Sequence, residues 1–208
     1  MPIHLPAPNR RQFLVTAGAG LVACSSRAFG READGDLVYV LNDTHIGEKH
    51  PPNSPVPSHL RLVVKELLEL GSKPACVLIN GDLALKDGQA GDYRHFVKLL
   101  APLREAKLNV HLTLGNHDNR DVFYEVLKEE RRQVPPVESR HISLVETRFA
   151  NFFLLDSLKE TMVTQGTVDE RQRAWLAKAL DVHASKPAII VAHHNPAWAE
   201  IHSTFPAA

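Results

Sequence analysis

An α/β fold, with a parallel sheet covered by helices, is the architecture this sequence predicts. Between Asp36 and Ala192, short apolar runs of strand length alternate with stretches whose apolar residues recur at helical spacing. Four of those apolar runs also stop abruptly in Asp, His or Asn, as expected of strands that end at a shared site.

The elements follow in order. "DLVYVLN" (Asp36–Asn42) reads as the first strand, and the Pro-rich "HPPNSPVPS" after it reads as a long loop. "HLRLVVKELLEL" (His59–Leu70) has helical periodicity, with Ser58 placed to cap it and Gly71 to end it. "ACVLIN" (Ala75–Asn80) is a second strand, a helix is expected from about Tyr93 to Lys107, and "NVHLTL" (Asn109–Leu114) is a third strand. "RHISLVE" and "NFFLLD" read as two further strands joined by a short turn. Thr167-Val168-Asp169-Glu170 has the pattern of a capping box opening the helix "VDERQRAWLAKAL", on which Trp175 is expected in the core. "PAIIVA" (Pro187–Ala192) is the last strand.

Ahead of this region, "NRRQFLVTAGAGLVACSSRAFG" places Arg10 and Arg11 before an apolar run too short to span a bilayer. It fits a cleaved export signal over residues 1–30 and resembles the twin-arginine signal of bacteria. The expected location is therefore the periplasm or cell envelope. Leu21-Val22-Ala23-Cys24 resembles a lipobox, which would make Cys24 a lipid anchor, whereas Ser26-Arg27-Ala28 suits ordinary cleavage. With Cys24 inside the signal, Cys76 alone remains, in an apolar run where it reads as a small hydrophobe.

Composition narrows the function. Of the 208 residues, 44% are hydrophobic and 23% charged, and Lys+Arg and Asp+Glu balance at 24 each. A formal charge of zero gives no sign of a nucleic-acid surface. The 12 His are a large share, and imidazole is both the commonest metal ligand and the usual proton carrier near neutral pH. Position sharpens this. The first strand runs into Asp43-Thr44-His45, the second into Gly81-Asp82, and the third into Gly115-Asn116-His117-Asp118. The last runs into His193-His194-Asn195-Pro196. A turn needs Gly and Asn for their backbone tolerance but has no use for adjacent His and Asp. Carboxylate and imidazole together suit Zn, Mn or Fe. His50, His59, His95, His111, His141, His183 and His202 read as surface or satisfied core, and Asp87, Asp92 and "KEERRQ" as solvated faces.

From Asp36 to Pro196 these blocks resemble the calcineurin-like metallophosphoesterase family, whose pattern is D-x-H, G-D, G-N-H-[D/E], a His after a strand, and then G-H-x-H. The spacing is most similar to the branch of cyclic-nucleotide phosphodiesterases and purple-acid-phosphatase-like enzymes. Leu85 stands where Ser/Thr protein phosphatases usually carry another Asp. The resemblance implies an α-β-β-α sandwich over residues 33–208. It also implies hydrolysis of small phosphomonoesters or phosphodiesters by a hydroxide activated between two metal ions (Fe, Mn or Zn). Asp43 and His45 would hold the first metal, Asp82 would bridge, and Asn116 and His193 would hold the second. Either His193 or His194 fits the fourth block, with strand alignment favouring His193. His117 would be the general acid, its ring oriented by Asp118, and Arg120 would touch the substrate phosphate. No G-H-x-H follows Pro196 in the sequence. The expectation is therefore a domain lacking the C-terminal part of its second sheet, with a degenerate, non-catalytic metal- or phosphate-binding protein as the alternative.

Overall fold

A computed structural model describes residues 37–51, 53–70 and 73–195. The expectations for the export segment, Cys24, Gly71, Pro196 and His202 lie outside the described residues. Along the chain come β1 (Val38–Asn42), α1 (Val56–Glu69), β2 (Cys76–Asn80), α2 (Ala90–Glu105) and β3 (Val110–Thr113). Then follow α3 (Arg120–Val126), a 3-10 turn (Lys128–Glu130), β4 (Ser143–Glu146), β5 (Asn151–Leu154), α4 (Glu170–Val182) and β6 (Ala188–Val191).

The strands form two sheets rather than one. In the first, β1, β2 and β3 lie side by side in parallel, each crossover carried by a helix. In the second, β4 and β5 form an antiparallel pair and β6 adds to β5 in parallel. Strand β2 shows how the two stack, because its side chains alternate between faces. Val77 and Ile79 join Leu60 and Val64 of α1 and Phe96, Leu100 and Leu103 of α2 in one buried cluster. Cys76 and Leu78 point the other way, into a cluster with Val145, Phe152 and Leu154 of the second sheet. On the far face of that sheet, Phe153 meets Trp175 of α4 edge-to-face at 6.3 Å. The layers are therefore helices, sheet, sheet, helix, the expected α-β-β-α sandwich. Truncating Phe96, fully buried at this junction, would cost about 3–5 kcal/mol.

Several local expectations are corrected. Helix α1 starts inside the Pro-rich stretch, with Pro57 in its first turn, where a missing N–H costs no hydrogen bond. Ser58 is thus not the cap, and its hydroxyl donates back to the Pro55 carbonyl at 2.7 Å. Helix α4 is capped by Asp169, whose carboxylate accepts from the Gln172 N–H, so the expected box from Thr167 to Glu170 gives way to a single cap at Asp169. Trp175 is half-buried, and the deeply buried residue of α4 is Gln172, whose amide bonds the Asp156 N–H and carbonyl. Asp92 is buried instead of solvated and accepts from the Glu48 N–H at 2.7 Å, tying α2 to the loop after β1. Cys76 is buried and free, and burial pushes its thiol up to about 11, as suits an inert hydrophobe. Among the described residues, no helix is long and apolar enough to cross a membrane.

Candidate metal centre

Beyond their last paired residues, the first two strands keep running side by side. The Asp43 N–H donates to the Gly81 carbonyl, His45 to Asp82 and Ile46 to Leu83, at 2.9–3.3 Å. This pairing sets the two loops in register and forces three residues into left-handed backbone: Asp43 (φ 54°), His45 (φ 44°) and Asp82 (φ 49°). Non-glycine residues seldom adopt that region, and where they do the strain tends to sit at functional sites. All three are residues singled out above as metal ligands.

Asp82 is the hub. Its carboxylate is almost wholly buried. One oxygen accepts from the His117 N–H at 2.8 Å. The other lies 3.6 Å from His45 Nε2 and 3.4 Å from His193 Nε2. Burial works against the anion, but the hydrogen bonds from His193 and His117 and their charges outweigh it and hold Asp82 below the usual carboxylate range. Two groups of ligand atoms share this residue, His45–Asp82–His117 and Asp43–Asp82–His193, with all atoms of each group within 4.8 Å of one another. The geometry thus places His117 with His45, and Asp43 with His193. Asp43 Oδ1 is also 3.9 Å from His45 Nε2. Asn116 lies in the same loop, its carbonyl accepting from the Met162 N–H.

The imidazoles share a second feature. Nδ1 of His45, His117 and His193 each faces a backbone carbonyl, of Leu85, Lys86 and Asn80, at 3.3, 2.6 and 3.1 Å. A carbonyl only accepts, so each Nδ1 carries the hydrogen and each Nε2 is left to act. That arrangement fixes ring orientation and tautomer in metal-binding histidines. Burial alone would depress His193, yet its bonds to Asp82 and Asn80 and the charges of Asp82 and Asp43 raise it to about 9. Such a pocket favours positive charge on the His193 ring, and a bound cation would supply that charge in place of the proton.

Glycines set the close approaches. A Cβ at Gly81 would collide with the His193 ring, and one at Gly115 with the Asp82 carboxylate. Side chains at either position would push the loops apart.

His193 and His194 occupy different places. His193 faces Asp82, while His194 turns into the second sheet, where Ser157 Oγ bonds both its Nδ1 (2.8 Å) and its N–H (3.2 Å). His194 Nε2 is buried with no hydrogen-bond partner among the described residues.

Two expected roles change. Asp118 does not orient the His117 ring, which is held by Lys86. Completely buried, it accepts from the N–H groups of Leu83, Ala84 and Gly115 and from the Tyr93 hydroxyl, stapling the Gly-Asp loop to the Gly-Asn-His loop. Burial raises its carboxyl to about 6, with the Asp82 charge adding to the rise and the three N–H groups opposing it. Arg120 is equally committed. Its guanidinium grips Asp156 at 2.7 and 2.9 Å and donates to the Leu158 carbonyl, bracing α3 against the second sheet. Sequence reasoning passed over Tyr93, Asp156, Ser157 and Gln172. The signal was polar residues ending the β5 run, which could have marked a buried network.

The calcineurin-like phosphoesterase family matches residues 37–208. The chain belongs to that family. A probable cyclic nucleotide phosphodiesterase of Rhodococcus erythropolis is 27% identical over 167 residues, covering 75% of this chain and 51% of the relative. The chain therefore spans about half the length of that curated relative. Among solved structures, a dimetal phosphatase from Danio rerio superposes with a TM-score of 0.57 at 16% identity. That match covers 76% of this chain and 69% of the other, a likeness of fold. The calcineurin-like phosphoesterase fold thus accounts for both sheets, and the carboxylates and imidazoles gathered here form a donor set suited to Zn, Mn or Fe.

Proposed function

We propose that this chain hydrolyses small phosphoesters, mono- or diesters, at a centre holding two metal ions of the Fe, Mn or Zn class. The observation that carries the reading is Asp82, whose one carboxylate is shared by two ligand groups while three imidazoles turn Nε2 toward the same space. Asp43, Asp82 and His193 would hold one cation, His45 and Asp82 the other, with Asn116 completing the set. When bound, the cations would neutralise phosphoester charge and lower the pKa of water between them. The chain's own part is to keep Asp82 ionised, to fix the ring planes through Leu85, Lys86 and Asn80, and to move a proton. His117 is the group for that step: with Nδ1–H held by the Lys86 carbonyl, its Nε2 can take up a second proton and pass it to the departing alkoxide oxygen. The relative's name, a probable cyclic nucleotide phosphodiesterase, supports a small diester as the first substrate to try.

Metal analysis of the purified chain, followed by bis(p-nitrophenyl) phosphate hydrolysis with added manganese, tests the proposal. Close to two equivalents of metal and turnover abolished by chelation are expected. Metal uptake with no turnover of mono- or diesters would make the protein a binder rather than an enzyme, and no uptake at all would remove the metal centre.

A further inference from the structure

We infer that a pocket along the open edge of β3, apart from the metal centre, binds a small organic phosphate. The cavity measures about 430 Å³, within the roughly 300–1,000 Å³ usual for small-molecule sites. Its walls come from β3, α3, the segment after α3 and the lead-in to β4, and none of the metal-centre residues lines it.

Charge gives it its character. Arg120, Arg131, Arg132 and Arg140 line the cavity against two acids, Asp121 and Glu130. Arg120 is committed to Asp156, Arg140 to Asp169, and Glu130 to Arg104. What remains is Arg131 and Arg132, neither in an ion pair among the described residues, with the Arg132 charge also acting on Glu130. Arg131 lies over the Tyr124 ring at 4.9 Å, a cation–π contact that positions the guanidinium at the pocket wall. Burial depresses His111 and His141, and the Arg132 charge pushes each further down, so the pocket's positive charge rests on its arginines. Two uncommitted guanidinium forks match a phosphate monoester, whose three terminal oxygens can engage both. A carboxylate can fill only one fork. The aromatic wall at Tyr124 and the cavity's size favour an organic group attached to that phosphate.

Calorimetric titration of the full chain with phenylphosphonate, which has no ester bond to hydrolyse, tests this before and after metal chelation. A saturable site that survives chelation is expected, weakened at least roughly tenfold by Arg131→Ala/Arg132→Ala. Bis(p-nitrophenyl) phosphate turnover by that variant should stay at the wild-type level. Both residues are exposed, so the fold should hold. If the double variant melts well below wild type, the single charge reversal Arg132→Glu should still abolish binding. No binding after chelation, binding unchanged in these variants, or benzoate binding as tightly as phenylphosphonate would overturn the assignment. None of the binding results depends on whether the metal centre turns over.

Discussion

The two sheets contribute unequally to the centre. The first is sealed: among the described residues its cluster holds eighteen buried side chains, and all four residues from Cys76 to Ile79 are inaccessible or nearly so. The second contributes three, Val145, Phe152 and Leu154, to the cluster between the sheets, and β6 exposes Ile189 and Ile190 by 42% and 46%. Yet β6 delivers His193. The first sheet therefore builds its share of the site by packing, while the second must pin its share by hydrogen bonds. Those pins are Ser157 on His194, the Asn80 carbonyl on the His193 ring, and the Asn80 amide on the Ala192 carbonyl.

That contrast breaks first at the shared hub. Asp82→Asn keeps the shape but removes the charge common to both ligand groups. Metal content should fall to near zero and hydrolysis should drop by more than about 100-fold, beyond what loss of an outer partner usually costs. His193→Ala should be milder: it strips only the contribution of the second sheet, leaving one group intact, so about one equivalent of metal is expected by elemental analysis. If His194→Ala gave that result and His193→Ala did not, the placement of the two rings would be wrong.

A pH titration of stability probes the seam between the halves. His141 is held neutral, with Nε2 donating to the Leu112 carbonyl and Nδ1 accepting from the Tyr124 hydroxyl. Burial, with Arg132 and Arg120 adding and Asp156 and the Leu112 carbonyl opposing, lowers it to about 4 from 6.5. The unfolded chain therefore binds the extra proton between those values. Stability from this group is complete above about pH 6.5 and is lost as the pH falls toward 4, by at most about 3 kcal/mol. Chemical denaturation from pH 7 to 4 should show that loss, and His141→Gln should flatten it. The smallest effect is expected of Ser157→Ala, which leaves the His194 ring unmet at a cost of about 1–3 kcal/mol, read as a lowered melting temperature with weakened affinity for one metal only.

Much of the centre was legible in the sequence because strand periodicity fixes where strands end, and parallel strands end on one side. Asp43, His45, Asp82 and His117 could be gathered on that ground, whereas the preference for His193 over His194 rested on the family resemblance, because β6 belongs to the other sheet. Asp118 and Arg120 could not be assigned their work, since the same residue types serve a reactive ring or a buried staple, and only tertiary contacts decide. The split into two sheets was equally hidden in the residues themselves, because a short apolar run looks the same in either. The caps at α1 and α4 shifted for a local reason: Pro57 starts a helix without help, and Asp169 competes successfully with Thr167.

The left-handed turns at Asp43, His45 and Asp82 carry an evolutionary corollary. Each sets about 1–2 kcal/mol of backbone discomfort against folding, which glycine would relieve. Selection for heat resistance alone would drift toward glycine at all three and erase the candidate ligands. Persistence of acid and imidazole there under such a regime would betray continuing demand for chemistry.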